Sequence, residues 1–303
     1  MLHLVGKTAP THTQLKNCVR DKFKSVEIQL FADFLDTNCE VLTQLLMQFP
    51  TLDVSSVHTP LLPYKELEIE DLADSNLKFP VLKTMYLADV LASRYGHRMP
   101  VVVHATSNID ALMETKDTLY RIVRELEVSL KLFPNIDICI ENTIPLIVKG
   151  KRYETKNSFL YDNINLVKFF RERLESERIY TVLDICHALS SIRFMQTTEE
   201  LTGHEVPQLE NFFKESEGLI RIIHMNNVIE MGLKPGQHGV PFLKTIESDV
   251  EMLKHVTNCI ENYCPKASVV LEIVEDEYEV NSNSNKLKTL ECFDFIGAKY
   301  KIV

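Results

Sequence analysis

The sequence predicts a single α/β domain, a (β/α)8 barrel of the TIM type. Eight short apolar runs rich in Val and Ile alternate with segments of helical period along the whole chain. The 303 residues suit one large α/β barrel, and 45% hydrophobic with 25% charged residues is typical of globular proteins. We expect one domain over residues 1–303, with the barrel at about 2–273 and a last helix and tail at about 274–303.

The predicted strands are apolar at consecutive positions rather than alternately. Val101-Val102-Val103 and Ile222-Ile223 are examples, and such runs are typical of a parallel sheet covered by helices. In chain order the predicted strands are 2–5, 25–31, 54–58, 100–104, 136–141, 179–184, 219–224 and 268–273.

Segments of helical period lie between several of these strands. Pro50 and Pro134 end the first two, because proline cannot continue a helix. The predicted helices are 36–49, 108–133, 160–174, 242–263 and 286–293. An open, doubly wound nucleotide-binding sheet is the structural alternative, but the chain has no GxGxxG motif.

The overall charge and the termini restrict the function classes. Asp and Glu number 43 against 33 Lys and Arg, a formal charge of −10, which disfavours non-specific binding to nucleic acid. No apolar run reaches the roughly 18 residues of a membrane span, and the N-terminus lacks a signal-peptide pattern. Seven cysteines without a CxxC pair suit reduced thiols. We therefore expect a cytoplasmic protein without a membrane partner.

Metal-ligating residue types occupy the ends of the predicted strands three to eight. They are His58, His104, Glu141, Asp184, His224 and Glu272. A barrel brings the carboxyl ends of its strands together at one mouth, where catalytic groups lie. Imidazoles and carboxylates buried there would be costly without a cation. The pattern predicts a divalent metal site, with Zn²⁺ or Mn²⁺ as the first expectation and Mg²⁺ or Co²⁺ as further options.

Further polar residues just past the strand ends are candidates for substrate contact. They are Asn142, His187, Asn226, His238 and the basic residues Lys149, Lys151 and Arg152. The basic run is either a solvated loop or an anion clamp beside the metal site. The asparagines are either ordinary loop residues or groups that orient ligands and hydroxyls.

Two motifs carry a resemblance to a known superfamily. Ile140-Glu141-Asn142-Thr143 and Leu183-Asp184-Ile185-Cys186-His187-Ala188, taken with the other strand ends in order, resemble the xylose-isomerase-like TIM barrels. That superfamily contains sugar and sugar-phosphate isomerases and epimerases, and the endonuclease IV class of apurinic-site nucleases. The resemblance extends over essentially residues 2–272.

The resemblance implies roles for individual residues. The four metal ligands common to the isomerases correspond to Glu141, Asp184, His224 and Glu272. In the nuclease branch, the positions of His58 and His104 join the glutamate to hold another zinc, and those of His187 and His238 hold a third. The chain departs from that branch in two places: Gly236 stands where the third zinc has an aspartate, and Leu61 stands where a tyrosine lies near DNA.

Three functions remain open on these grounds. The first is a metal-dependent isomerase or epimerase acting on a sugar or sugar phosphate. Glu141 and Glu272 would exchange roles as general base and acid beside a chelated carbonyl, and His187 and His104 would bind substrate oxygens. Asn142, Asn226, His238 and the basic run would bind substrate.

The second function is a zinc phosphodiesterase similar to endonuclease IV, with nucleic acid as the partner. The histidine-rich set favours it, whereas Gly236, Leu61 and an acidic loop at about 59–80 disfavour it. The third is a non-catalytic barrel with one metal. The sequence leaves the oligomeric state open, with a homo-oligomer among the options.

Overall fold

The computed structural model describes residues 1–31, 34, 37–61, 78–105, 116–143, 146–148, 151–153, 160–199, 205–228, 238–277 and 283–303. Within these residues, eight parallel strands close into one barrel, because the last pairs with the first. They are β1 Leu2–Thr8, β2 Ser25–Phe31, β3 Asp53–Leu61, β4 Met99–His104, β5 Ile136–Glu141, β8 Ile179–Asp184, β9 Ile220–His224 and β12 Ser268–Leu271. The predicted (β/α)8 barrel is therefore confirmed.

The strand bounds follow the apolar runs closely. Strands β2, β5 and β8 have the predicted limits, whereas β1 continues to Thr8 and β3 continues to Leu61. The last barrel strand ends at Leu271, one residue before Glu272. His58 therefore lies inside its strand, three residues before the end, and the other predicted strand-end ligands lie at or just after the ends.

Helices cover the outside of the barrel. The described helices are α1 His12–Arg20, α2 Cys39–Met47, α3 Lys78–Tyr95, α4 Lys116–Leu132, α5 Leu160–Leu174, α6 Ile185–Glu199, α7 Glu205–Glu215, α8 Glu247–Tyr263 and α9 Ser284–Phe295. Four of them, α1, α3, α6 and α7, were not predicted from periodicity. Thr11 and Asn38 begin α1 and α2 as side-chain caps of the first free N–H groups. None of the described helices is both long and apolar enough to cross a bilayer.

Five short strands lie outside the barrel ring. Strands β6 Leu146–Val148 and β7 Lys151–Tyr153 pair antiparallel, as do β10 Asn227–Val228 and β11 His238–Val240. The last, β13 Tyr300–Ile302, runs parallel to β1, and Leu4 faces Ile302 in this pairing. The chain end is therefore part of the sheet at the N-terminal end of the barrel, where the sequence predicted only a tail.

The core has two parts because successive strand side chains point to opposite faces. The larger part lies between strands and helices. The smaller part fills the barrel interior as one layer. Six of the eight barrel strands contribute one side chain each to this layer, namely β1, β4, β5, β8, β9 and β12. The members of this interior layer are Val5, Val102, Cys139, Val182, Ile222 and Val270, all at most 1% exposed. This layer separates the two mouths of the barrel.

A buried carboxylate fixes the last helix. Glu275 accepts hydrogen bonds from the backbone N–H groups of Asn285 and Lys286, at 2.7 and 3.1 Å, and from the hydroxyl of Ser284. These N–H groups belong to the first turn of α9, which has no intrahelical acceptor for them. The Lys286 ammonium lies 3.3 Å from the same carboxylate.

Glu275→Gln is expected to lower the free energy of unfolding by about 1–3 kcal/mol, because a buried charged acceptor is lost. Urea denaturation followed by circular dichroism measures the change. Glu277→Gln, at an exposed position two residues along, is the matched control. Equal midpoints for the two variants would contradict a structural role for Glu275.

Candidate metal centre

The strand pleat places the polar residues of the C-terminal mouth. Each lies two positions after a member of the interior layer, so each points into the barrel above that layer. The residues placed in this way are Lys7, His104, Glu141, Asp184, His224 and Glu272. Glu27 and His58 enter from β2 and β3 and are 0% and 2% exposed. The strands therefore gather all six predicted strand-end ligands at one place.

Glu141 lies at the centre of this group, and its two oxygens face different imidazoles. Its Oε2 lies 3.0 Å from His58 Nε2 and 3.3 Å from His104 Nε2. Its Oε1 lies 3.2 Å from His224 Nδ1 and 3.7 Å from His187 Nδ1. A carboxylate with a separate ligand set at each oxygen is suited to bridging two cations.

Two overlapping groups have donor atoms close enough to share an ion. In the first, one donor atom from each of Glu141, Asp184, His224 and Glu272 lies within 4.8 Å of all the others. In the second, His58 joins Glu141 and His224 under the same limit. His224 Nδ1 is also in contact with Glu272 Oε2. These donor types are those that zinc and similar ions prefer.

Two buried charged residues of this centre were not predicted from the sequence. Glu27 Oε1 lies 3.0 Å from His224 Nε2, on the far side of that ring from Glu141. Lys7 Nζ lies 3.3 Å from Glu27 and 2.6 Å from Glu272. A usable signal was present: each interrupts an apolar strand at an inward-facing position, in Leu-Val-Gly-Lys and Val-Glu-Ile.

The hydrogen bonds of His58 and His187 fix which ring nitrogen carries the proton. His58 Nδ1 lies 2.8 Å from the carbonyl oxygen of Thr59, and His187 Nδ1 lies 2.8 Å from that of Asn142. A carbonyl only accepts, so both Nδ1 atoms donate. In the neutral ring of His58, the Nε2 lone pair then faces the Glu141 carboxylate, an arrangement that a cation held by both groups would stabilise. A backbone carbonyl on the remote nitrogen is typical of metal-ligating histidines.

Among the described residues, the acidic charges of the centre outnumber the lysine charge. Four carboxylates, from Glu27, Glu141, Asp184 and Glu272, lie at the barrel mouth, and of the described lysines Lys7 contacts them. Without a metal, His224 also supplies positive charge, since Glu272 and Glu27 outweigh burial and raise its pKa well above the ordinary value. Uncompensated buried charge is strongly unfavourable. The residues present therefore fit one or two divalent cations, both in donor type and in charge.

The pKa values agree with ionised carboxylates. Burial raises the pKa of Glu27, but the facing His224 and Lys7 outweigh burial and lower this pKa to about 2. Burial likewise opposes the ionisation of Glu141 and Glu272, yet His224 holds the pKa of both well below the ordinary value. For His58, burial and then Lys7 lower the pKa, which keeps the ring neutral and able to ligate.

The two predicted asparagines support Asp184. Asn142 accepts from the Asp184 N–H at 2.7 Å and donates to its carbonyl at 3.1 Å. Asn226 donates to Asp184 Oδ2 at 2.8 Å and accepts from the Cys186 N–H. Both asparagine side chains are at most 1% exposed, and their observed contacts orient Asp184, one of the predicted metal ligands. Substrate contact through these amides stays a prediction.

Several other predicted residues lie outside the described residues or at the borders of the described segments. Lys149 and Gly236 are outside the described residues, as is most of the acidic loop at 59–80. Lys151 and Arg152 belong to β7, and His238 begins β11, directly opposite Val228. His187, with Asp184 and Cys186, forms a further group of close donor atoms. Burial raises the pKa of the Cys186 thiol well above its ordinary value, which makes it a poor ligand at neutral pH.

Removal of bound metal with a chelator is expected to destabilise the protein, because the carboxylates then repel one another. At free metal about 100-fold above Kd, binding contributes roughly 3 kcal/mol to the free energy of unfolding. The measurement is the melting temperature with and without chelator, followed by restoration with zinc or manganese. An unchanged melting temperature together with no bound metal would contradict the site.

Comparison with solved structures identifies the fold. An AP endonuclease, family 2, from Brucella melitensis matches with a TM-score of 0.61 and 15% identity, and 98% of each chain is covered. A D-tagatose 3-epimerase-like protein matches with a TM-score of 0.60 and 16% identity, again over 98% of each chain. A xylose isomerase-like TIM barrel/4-hydroxyphenylpyruvate dioxygenase fusion protein matches with a TM-score of 0.57 and 13% identity, over 97% of this chain and 42% of the other.

The class that these structures define is the xylose-isomerase-like TIM barrel, and this chain has that fold. The solved structures that match include an AP endonuclease and several sugar epimerases. No protein-family model matches the sequence. No curated protein matches it either.

Proposed function

We propose that this chain is a metal-dependent phosphodiesterase similar to endonuclease IV, acting on a nucleic-acid backbone. The observation that carries the proposal is the position of Glu141 between two ligand sets. One oxygen faces His58 and His104, and the other faces His224. A single-metal epimerase would use His104 to bind substrate oxygens, and it does not call for the imidazole of His58 at the same carboxylate oxygen. The Brucella melitensis structure of similar fold is described as an AP endonuclease.

The chain's own residues would hold the reacting groups in place. Glu141, His58 and His104 would hold one ion, and Glu141, Asp184, His224 and Glu272 would hold another. Bound at this place, the ions would polarise a phosphoryl group and supply an activated water. Lys7 and Glu27, beneath them, would keep Glu272 and His224 oriented.

A second candidate is a sugar epimerase, which the quartet of Glu141, Asp184, His224 and Glu272 favours. It requires Glu272 to remove a proton from carbon. Lys7 lies 2.6 Å from Glu272, and His224 and Lys7 lower the pKa of Glu272 well below its usual value. A carboxylate held in this way is a weak base. For this reason we propose the epimerase as the second candidate, although it stood first on the sequence alone.

The deciding experiment uses protein purified without chelators. Its metal content is measured, and it is incubated with a duplex containing one abasic site, with the undamaged duplex, and with D-tagatose and D-allulose. We expect about two ions per chain and incision at the abasic site only. One ion, conversion of a ketose and an intact abasic duplex would overturn the proposal in favour of the epimerase.

The variant His104→Ala separates the two functions further. Its ring contacts Glu141 Oε2. In the phosphodiesterase it would hold a metal ion, whereas in the epimerase it would contact substrate oxygens, so the metal content of the variant separates the two. Loss of incision with one ion fewer per chain is expected for the phosphodiesterase. His255→Ala, at a partly buried histidine of α8, is the matched control and is expected to keep full activity.

A further inference from the structure

The opposite mouth of the barrel contains a cavity that the proposed function does not use. Its volume is about 570 Å³, and it lies at the N-terminal ends of the strands. His3, Pro100 and Ser268 line it, each two residues before a member of the interior layer. The layer therefore separates this cavity from the metal centre.

The lining of the cavity is strongly cationic, although the chain is acidic overall. Among the described residues that line it, five carry a lysine or arginine charge, and Asp53 is the acidic one. The five are Lys24, Arg98, Arg221, Lys266 and Lys301. They come from different strands and loops, including β13, so the closed barrel and not a local charge run creates this ring. Such a concentration of positive charge attracts anions.

Two of the cations contact a buried acid. Asp137, 3% exposed, lies 3.5 Å from Arg98 and 3.8 Å from Arg221. The Arg221 guanidinium also lies over the Tyr180 ring, 5.6 Å from its centroid. Asp137 therefore neutralises part of the positive charge, while both guanidinium groups stay accessible to an oxyanion in the cavity.

The three lysines that line the cavity differ from the two arginines in their ion pairs. Across the described part of the chain, Lys24, Lys266 and Lys301 form no ion pair. Burial and then Lys301 lower the pKa of the His3 imidazole. A neutral imidazole there can accept or donate one hydrogen bond without adding repulsion.

We propose that this cavity at the N-terminal mouth is a binding site for a small anion carrying several phosphate groups. Lysine and arginine side chains converging from several elements are the chemistry that recognises phosphate oxygens. The volume accommodates a polyphosphate chain. No aromatic ring other than the imidazoles lines the cavity within the described residues, so the phosphates are recognised and not a base.

The bound anion would act on the fold and not on the reaction. It would join the N-terminal ends of β1, β2, β4, β9 and β12 and the strand β13. An anion that binds only the folded chain raises its thermal stability. The inference does not rest on the proposed function, because the interior layer separates the two sites.

The test is calorimetric titration of the metal-loaded protein with inorganic triphosphate at low and high salt. Metal content is measured before and after, to separate binding from chelation. We expect one site per chain, weakened by salt. The double variant Lys266→Glu with Lys301→Glu should weaken it by about 10-fold or more. The control is Lys131→Glu with Lys254→Glu, an equal change of charge at exposed helix positions.

A further variant tests the opposite effect, an expected gain in triphosphate affinity. Asp137→Asn removes the negative charge between Arg98 and Arg221 and should tighten triphosphate binding, with circular dichroism confirming the fold. Absence of binding at millimolar triphosphate would overturn the proposal. An equal loss in the two double variants would also overturn it, since the effect would then be one of overall charge.

Discussion

Glu141→Gln is expected to reduce phosphodiester cleavage by on the order of 10³-fold, with metal content reduced from about two ions to one or none. The amide keeps the size of the side chain but cannot bridge two cations. One carboxylate oxygen becomes an NH2 group and the other a neutral carbonyl oxygen, so the atom at 3.0 and 3.3 Å from His58 and His104 and the atom at 3.2 Å from His224 both lose their negative charge. Both ligand sets are therefore affected by one change.

The measurement is single-turnover incision of the abasic duplex, together with metal analysis of the same preparation. Asp137→Asn provides the control on the same strand, since it removes a buried carboxylate from the other end of β5. A folded Glu141→Gln variant that keeps two ions and full activity would remove Glu141 from the centre.

Glu27→Gln is expected to weaken metal binding by roughly 10- to 100-fold, the usual cost of losing a carboxylate behind a ligating histidine. Glu27 faces His224 Nε2 at 3.0 Å. A carboxylate there favours the proton on Nε2 and leaves the Nδ1 lone pair directed at Glu141 and Glu272. The amide holds that tautomer less strongly, and it also removes an ion-pair partner of Lys7.

Competition with a chromophoric chelator measures the affinity, and Co²⁺ absorption reports the geometry at the ion. Glu210→Gln is the matched control, because Glu210 contacts Lys214 and Tyr263 far from the mouth. An affinity equal to that of the parent protein, with an unchanged Co²⁺ spectrum, would mean that Glu27 does not position His224.

The fold was largely predictable because its signals are local. Buried parallel strands are continuous apolar runs, and three strands and one helix, α5, have the predicted bounds. One of the helices that were missed has a mixed face. In α1, Gln14 and Asn17 are buried, so the usual apolar period is broken.

The candidate centre was predictable only in part. The strand-end rule found His104, Glu141, Asp184, His224 and Glu272 because a barrel converges its strand ends. It missed Lys7 and Glu27, since a charge inside an apolar strand is informative only once its facing direction is known. Lys7 and Glu272 are 265 positions apart in the chain, and no spacing rule links them.

The amino-acid sequence by itself determined the barrel, its eight strands and the ligand types at one mouth, because side-chain period and residue chemistry are properties of short segments. Only the tertiary structure decided which oxygen of Glu141 faces which histidine and that the asparagines serve Asp184. It also decided that five cations surround a cavity at the other mouth. These features depend on distances between side chains on different strands, and those distances are set by closure of the sheet.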